Sequence, residues 1–291
     1  MLERVMHANG VVTYQSPQLQ AAGVRHAFST RIGGVSEAPF DSLNLGNPGG
    51  AASGVAQDAQ DNMVENYRRL TACVAGPERA AATLRAWVRQ VHGTRVELLE
   101  AEPESDYSET LESLVRDRFS GQLEADALIT AHRDVLVTVR VADCVPILLA
   151  SADGRIVAAV HAGWRGVANG ILPKTLRALG EMGVAPAGLV AAIGPHISAA
   201  HFEVGLEVAR EFHQVGLGDA VVAPVGGGGA KPHIDLQRAL LLQCARAGVT
   251  EVDAAEFPAH CTFANAADFY SHRRDRGITG RLAAVIAPAA R

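Results

Sequence analysis

A chain of 291 residues with 48% apolar and 20% charged residues is long enough, and apolar enough, to bury a substantial core. Its 26 Lys and Arg against 31 Asp and Glu give a net charge of −5 with no basic block, which argues against sequence-independent nucleic-acid binding. No apolar run approaches the ~18 residues of a membrane-spanning helix, and the opening "MLERVMHANGVVTYQ" lacks the basic start and apolar stretch of a signal peptide.

"VRHAFSTRIGGVSEAPFDSLNLG" (24–46) begins as a strand and becomes a loop of small residues. "DAQDNMVENYRRLTACVAG" (58–76) is expected to be a helix, because Met63, Tyr67, Leu70 and Val74 recur at helical spacing. "RAWVRQVHGTRVELLE" (85–100) reads as two strands around His92-Gly93. Residues 101–122 are acidic and polar, and are expected to form a surface insertion with one short helix. "DALIT", "DVLVTVRVADCVPILLAS" and "GRIVAAVHAG" follow as apolar runs without alternation, the signature of strands buried on both faces. "GILPKTLRALGEMG", "GLEVAREFHQVG" and "IDLQRALLLQCARAGV" are expected helices, the last with Asp235 as N-cap. "GLVAAIGPHIS" is a strand, "APVGGGGAKPHID" a turn or linker, and "SHRRDRGITGRLAAVIAP" a loop returning into a final strand. The tetraglycine lacks the GK[ST] ending of a phosphate loop, and no GxGxxG occurs. The expected class is α+β, one layered domain filling residues 1–291.

Three positions invite a chemical reading. In "VHAGWRG" a histidine, His161, ends an apolar run; a lone histidine there is ordinarily a core residue bonded to backbone. Cys144 interrupts a second such run, in "VADCVPILL", beside Asp143, whose burial would be costly without a partner. His92 ends a third strand, again before a glycine. Two histidines and a cysteine are good ligands for a borderline-soft ion, and three protein ligands leave a fourth position open, the pattern of catalytic zinc. Their separations in sequence are too long to form a zinc signature, so only tertiary convergence could assemble the site. The same residues would also serve a thiol hydrolase, with Cys144 as nucleophile and His161 or His92 as base. The turn at Gly163 and Arg165 suits an anion, and Trp164 offers a face for a planar ring. The four cysteines are scattered with no CxxC pair, so they read as reduced thiols in a cytoplasmic protein.

"QVHG", "EADALIT", "VADCVPILL", "VHAGWRG", "IGPHISAAHFEVG" and "SHRRDRGITGR", in this order, resemble the YfiH-like family, also called the laccase-domain or "polyphenol oxidase" family. "FSTRIGGVSEAPFDSLNLG" fits the same family, and the resemblance covers roughly residues 24–286. It implies a single-domain, layered α/β/β/α fold grouped with certain cysteine-dependent toxin hydrolases. It implies a zinc site of His92, Cys144 and His161, and phosphorolysis of adenosine, inosine, guanosine and methylthioadenosine with some adenosine deamination. The expected partners are therefore a nucleoside and phosphate, with no nucleic acid and no membrane, for a monomer or small homo-oligomer. Arg31 falls in a motif expected near the site and, with Arg165, is read as a phosphate ligand; Arg273 and Arg274 are weaker candidates. Asp143 is read as orienting or exchanging a proton. His196 and the length of the 101–122 segment depart from the expected pattern. The eleven histidines include no His-x-His pair, which excludes a multicopper centre, while single copper, as in a phenol oxidase, is the alternative occupant of the one site.

Overall fold

The computed structural model describes residues 1–48, 56–100, 107–223 and 231–290, with residues 107–110 described as backbone only. The chain opens with strands β1 (Glu3–Met6), β2 (Val12–Gln15) and β3 (Arg25–Ser29), with a short helix α1 (Pro17–Ala21) capped by the Ser16 hydroxyl. The loop after β3 is pinned by α2 (Gln60–Ala75): Asn66 donates to the Ser36 hydroxyl and the Asn44 carbonyl. Tyr67, Leu70 and Val74 form the buried stripe of α2, as their spacing predicts, while Met63 is left half-exposed. Next come β4 (Leu84–Arg89), β5 (Val96–Leu99), α3 (Tyr107–Arg118), β6 (Ser120–Glu124), β7 (Ala127–Thr130), β8 (Val135–Val141), β9 (Val145–Ser151) and β10 (Val157–Ala162). Helix α4 (Trp164–Ala168) leads into α5 (Ile171–Glu181), which tolerates Pro173 in its first turn. Then follow β11 (Leu189–Ile193), α6 (Leu206–Gln214), the small ribbon β12 (Val221–Val222) and β13 (His233–Ile234), and α7 (Leu236–Ala247), whose N-cap is Asp235. β14 (Glu251–Ala254) and β15 (Leu282–Ala287) complete the chain.

The strands form two large mixed sheets, ordered β1-β2-β3-β15-β8-β4-β6 and β14-β11-β9-β10-β7-β5. Val137, Val139 and Val141 of β8 and Ile286 of β15 meet Leu128, Leu148, Val157 and Ala159 of the other sheet in one core. The outer face of the second sheet, with Ile129, Val145, Ile147, Leu149 and Val160, is covered by α4 to α7. The outer face of the first, with Leu136, Ala283 and Val285, is covered by α2. The order of layers is thus helix, sheet, sheet, helix, and the unalternating apolar runs arise because both faces of each central strand are buried.

Two expectations are corrected. The segment 101–122 is more than a surface insertion: residues 101–106 lie outside the described residues, but Leu111, Val115 and Phe119 are buried in the core between the sheets. Their i, i+4, i+8 spacing was legible, but the surrounding charges masked it. β6 then adds an edge strand beside β4. The tetraglycine of the expected linker lies outside the described residues, while its last residues form β13. All four cysteines are free, and no described helix is long and apolar enough to cross a membrane.

Candidate metal centre and substrate cleft

β4, β6 and β8 lie side by side and parallel in the first sheet, so their C-terminal ends share one edge of the molecule. Each then hands the chain to the second sheet, through β5, β7 and β9 respectively. The three crossings carry His92, Asp126 and Cys144. β10 brings the fourth member: its register sets His161 opposite Pro146, two residues after Cys144, and Val160 opposite Ala127, next to Asp126. Three chain crossings and one strand end therefore converge by register alone.

The ligating atoms of His92, Cys144 and His161 all lie within 4.8 Å of one another. Cys144 Sγ is 3.8 Å from His92 Nε2, and the two imidazoles meet edge to face with centroids 4.8 Å apart. Two residues at the crossings, His92 (φ 58°) and Asp143 (φ 85°), hold left-handed backbone that disfavours any residue but glycine, the kind of strain that collects at functional sites. Gly163 faces the cluster, and a Cβ there would lie 2.8 Å from His92 Cδ2 and 3.2 Å from Cys144 Sγ.

Asp126 was not singled out in the sequence, although it stands in the motif "EADALIT". It is fully buried and lies 2.7 Å from His161 Nδ1. It also accepts the backbone N–H groups of Val91, His92 and Gly93 at 3.3, 3.0 and 2.6 Å. Burial pushes its carboxyl up, but the His161 bond and these N–H groups outweigh that and hold it below the ordinary range. With Nδ1 committed to Asp126, His161 presents Nε2 to Cys144, the arrangement by which a carboxylate fixes a ligating histidine. Burial also opposes charge on Cys144 and on His161, yet their mutual attraction wins: the thiol is pushed down and the imidazole up. This buried acid would have been found by asking why an aspartate precedes an apolar strand.

The three residues and Asp143 line a cleft of about 740 Å³, together with Trp164, Phe202, Met63 and the arginines Arg89, Arg140, Arg165, Arg273 and Arg281. The Arg165 guanidinium lies 4.4 Å from the Trp164 ring centre and has no acidic partner among the described residues. The buried Asp143 carboxylate accepts from the Thr262 hydroxyl at 2.6 Å and the Arg273 N–H at 2.7 Å, so the C-terminal loop is tied to the cleft. Arg274 turns inward to the carbonyls of Thr262, Phe263 and Phe269 and to Asp275. Arg31 does not line the cleft. Its guanidinium bonds the Asp41 carbonyl and carboxylate and the Ala266 carbonyl, and stacks 4.7 Å over the Tyr270 ring. His196 is likewise outside it, buried against Phe257 and the Gly194 carbonyl.

The donor set fits an ion of the zinc class by its chemistry: two imidazoles and a thiol are gathered within 4.8 Å of one another, and three protein ligands leave one coordination position over.

The family model described as "Multi-copper polyphenol oxidoreductase laccase" matches residues 25–289. A protein from Deinococcus radiodurans named purine nucleoside phosphorylase is 36% identical over 281 residues, covering 97% of this chain and 94% of its own. A purine nucleoside phosphorylase of Pseudomonas aeruginosa is 37% identical over 265 residues, covering 91% and 93%. Among solved structures, YlmD from Geobacillus stearothermophilus superposes with a TM-score of 0.77 at 29% identity, covering 98% of both chains. A Neisseria meningitidis protein gives 0.75 at 32% identity over 97% of this chain and all of that one. On this match of sequence, fold and length, the chain belongs to the YfiH-like, laccase-domain family.

Proposed function

We propose that this protein is a zinc-dependent purine nucleoside phosphorylase, with His92, Cys144 and His161 as the metal ligands. The observation that carries the reading is the convergence of these three donors in an arginine-lined cleft, in a chain whose relatives bear that name. Held by His92, Cys144 and His161, a zinc ion would supply Lewis acidity and lower the pKa of a water. In phosphorolysis the glycosidic bond breaks, C1′ of the ribose gains positive charge, and a phosphate oxygen attacks it. The bond electrons leave with the purine, which takes up a proton, giving ribose 1-phosphate and free base. Trp164 offers a flat face to the purine, and guanidinium forks suit the phosphate oxygens. Asp126 keeps His161 in one tautomer, and Asp143 positions the Arg273 loop over the cleft. Adenosine, inosine, guanosine and methylthioadenosine are the expected substrates. Adenosine deamination, in which water replaces the C6 amine and ammonia departs, is the side activity.

The test is incubation with these nucleosides with and without phosphate, followed by separation of the products, together with metal analysis of protein purified without added metal. Phosphate-dependent release of base and ribose 1-phosphate with about one zinc per chain is expected. A protein that releases no base from any of them in the presence of phosphate overturns the reading.

The line Cys144–His161–Asp126 favours one second reading, a cysteine hydrolase in which His161 activates the thiol and Asp126 orients the imidazole. Full activity in metal-free protein, abolished by thiol alkylation, would select it.

A further inference from the structure

Of the arginines around the cleft, two are bonded elsewhere and Arg165 lies over the Trp164 ring. Arg89 pairs with Glu124 at 2.8 Å, and Arg273 donates to the Glu203 carbonyl at 3.0 Å. Arg140 differs. Its backbone is locked to β4 through Gln90, which accepts its N–H at 2.8 Å and donates to its carbonyl at 2.7 Å. Its guanidinium has no hydrogen-bond or ionic partner among the described residues. Beside it stands Arg281, at the start of β15, where the antiparallel register sets Ala283 opposite Arg140. The Arg281 guanidinium donates only to the carbonyls of Thr279 and Gly280, at 3.0 and 3.1 Å. Both side chains are half-buried, both line the cleft that holds Cys144, and neither is paired with a carboxylate among the described residues. They close around Gly46, where a Cβ would lie 3.0 Å from Arg140 Cδ, 3.2 Å from its terminal nitrogen and 3.4 Å from Arg281 Cβ.

Two like charges set together repel each other, and Cys144 and Asp143, the negative groups that act on Arg281, form no ion pair with either guanidinium among the described residues. A fold gains nothing from that arrangement by itself, and the antiparallel ladder of β8 and β15 keeps the two backbones from spreading. A tetrahedral dianion between two guanidinium forks removes the repulsion and accepts several charge-assisted bonds. We infer that Arg140 and Arg281, packed against Gly46, form the subsite for inorganic phosphate. This rests on the phosphorylase reading for its place in the reaction, but not for its existence as an anion site.

The test separates the two. Binding of inorganic phosphate is measured by calorimetry on the intact protein, and on R140Q, R140K, R281Q and G46A; each variant's melting temperature without phosphate checks its fold. The wild-type protein binds phosphate, R140Q and R281Q bind it at least roughly tenfold more weakly, as expected when a charge-assisted contact is removed, and R140K retains an intermediate affinity. G46A, which leaves both charges in place but crowds the Arg140 side chain, also weakens binding. If phosphorolysis is present, the KM for phosphate rises in R140Q while the KM for nucleoside moves less. Phosphate binding lost in R140Q from a protein without phosphorylase activity would uphold the subsite and sink only the enzymatic reading. Unchanged phosphate affinity in folded R140Q and R281Q overturns the subsite, as does binding of a nucleoside monophosphate without binding of inorganic phosphate.

Discussion

Asp126 and His161 are joined by a 2.7 Å bond in which neither side chain has meaningful access to water. The carboxylate reaches the imidazole from one chain crossing while gathering the backbone of His92 from another, so one acid sets two of the three clustered residues at once. Replacing it with asparagine keeps the shape but removes the charge and offers His161 Nδ1 an ambiguous partner. Outer partners of this kind are typically worth ten- to a hundredfold in metal affinity. The expected result for Asp126→Asn is zinc bound roughly that much more weakly in a chelator competition, with a correspondingly larger requirement for added metal in the assay. Zinc affinity equal to the parent's would show that His161 is oriented by packing alone.

Gly163 gives a sharper geometric test. A methyl group there meets the edge of His92 at 2.8 Å and the Cys144 sulfur at 3.2 Å, with β10 and α4 fixing the backbone on either side. Its φ of −71° is open to alanine, so the cost of Gly163→Ala is displacement of ligands and not backbone strain. Metal content and activity are expected to fall at least about tenfold, while the melting temperature of metal-free protein changes little. Stoichiometric zinc in the alanine variant would contradict the assigned ligand geometry.

Arg31 separates motif from place. Phosphate binding through Arg31 would make Arg31→Ala lose phosphorolysis selectively, by tenfold to a hundredfold. Its bonds to Asp41 and Ala266 and its stacking on Tyr270 lead to the opposite expectation. Folding stability should fall by about 1 kcal/mol, as for a partly exposed ion pair with carbonyl contacts. The ratio of phosphorolysis to deamination, and the KM for phosphate, should stay the same. A selective rise in that KM would return Arg31 to the site.

Acid stability depends on buried histidines that do not line the cleft. His26 accepts the Ser16 N–H at 2.8 Å, and burial pushes its pKa down to about 4. The folded chain holds it neutral, whereas the unfolded chain protonates it near pH 6.5. The unfolded state therefore binds the extra proton, and stability is complete above pH 6.5 and lost as pH falls toward 4, by about 1.4 kcal/mol per pH unit for this one group. Urea denaturation at pH 7 and pH 5 should show a smaller loss for His26→Gln than for the parent. His196, likewise pushed down to about 4 by burial, adds a second such contribution in both proteins. Equal losses in the two would show that His26 carries no part of the acid sensitivity.

The sequence by itself determined the strands, most of the helices and the kinds of residue at the site. Unbroken apolar runs mark strands between two cores, helical spacing marks Tyr67, Leu70 and Val74, and a histidine or cysteine at a strand end stands out because hydrophobic patterning is local. The ordered motifs also disclosed the family. Only the tertiary structure decided which sheet each strand joins, because strand pairing is a non-local hydrogen-bonding choice that composition does not encode. That choice sends β4, β6 and β8 across to the second sheet at one shared edge, and so brings His92, Asp126 and Cys144 together from positions 34 and 18 residues apart with no spacing signature. It also turned Arg31 toward Asp41 and left Arg140 unpaired beside Arg281. A guanidinium's role is set by which acid or carbonyl lies within reach, and that is a distance in space.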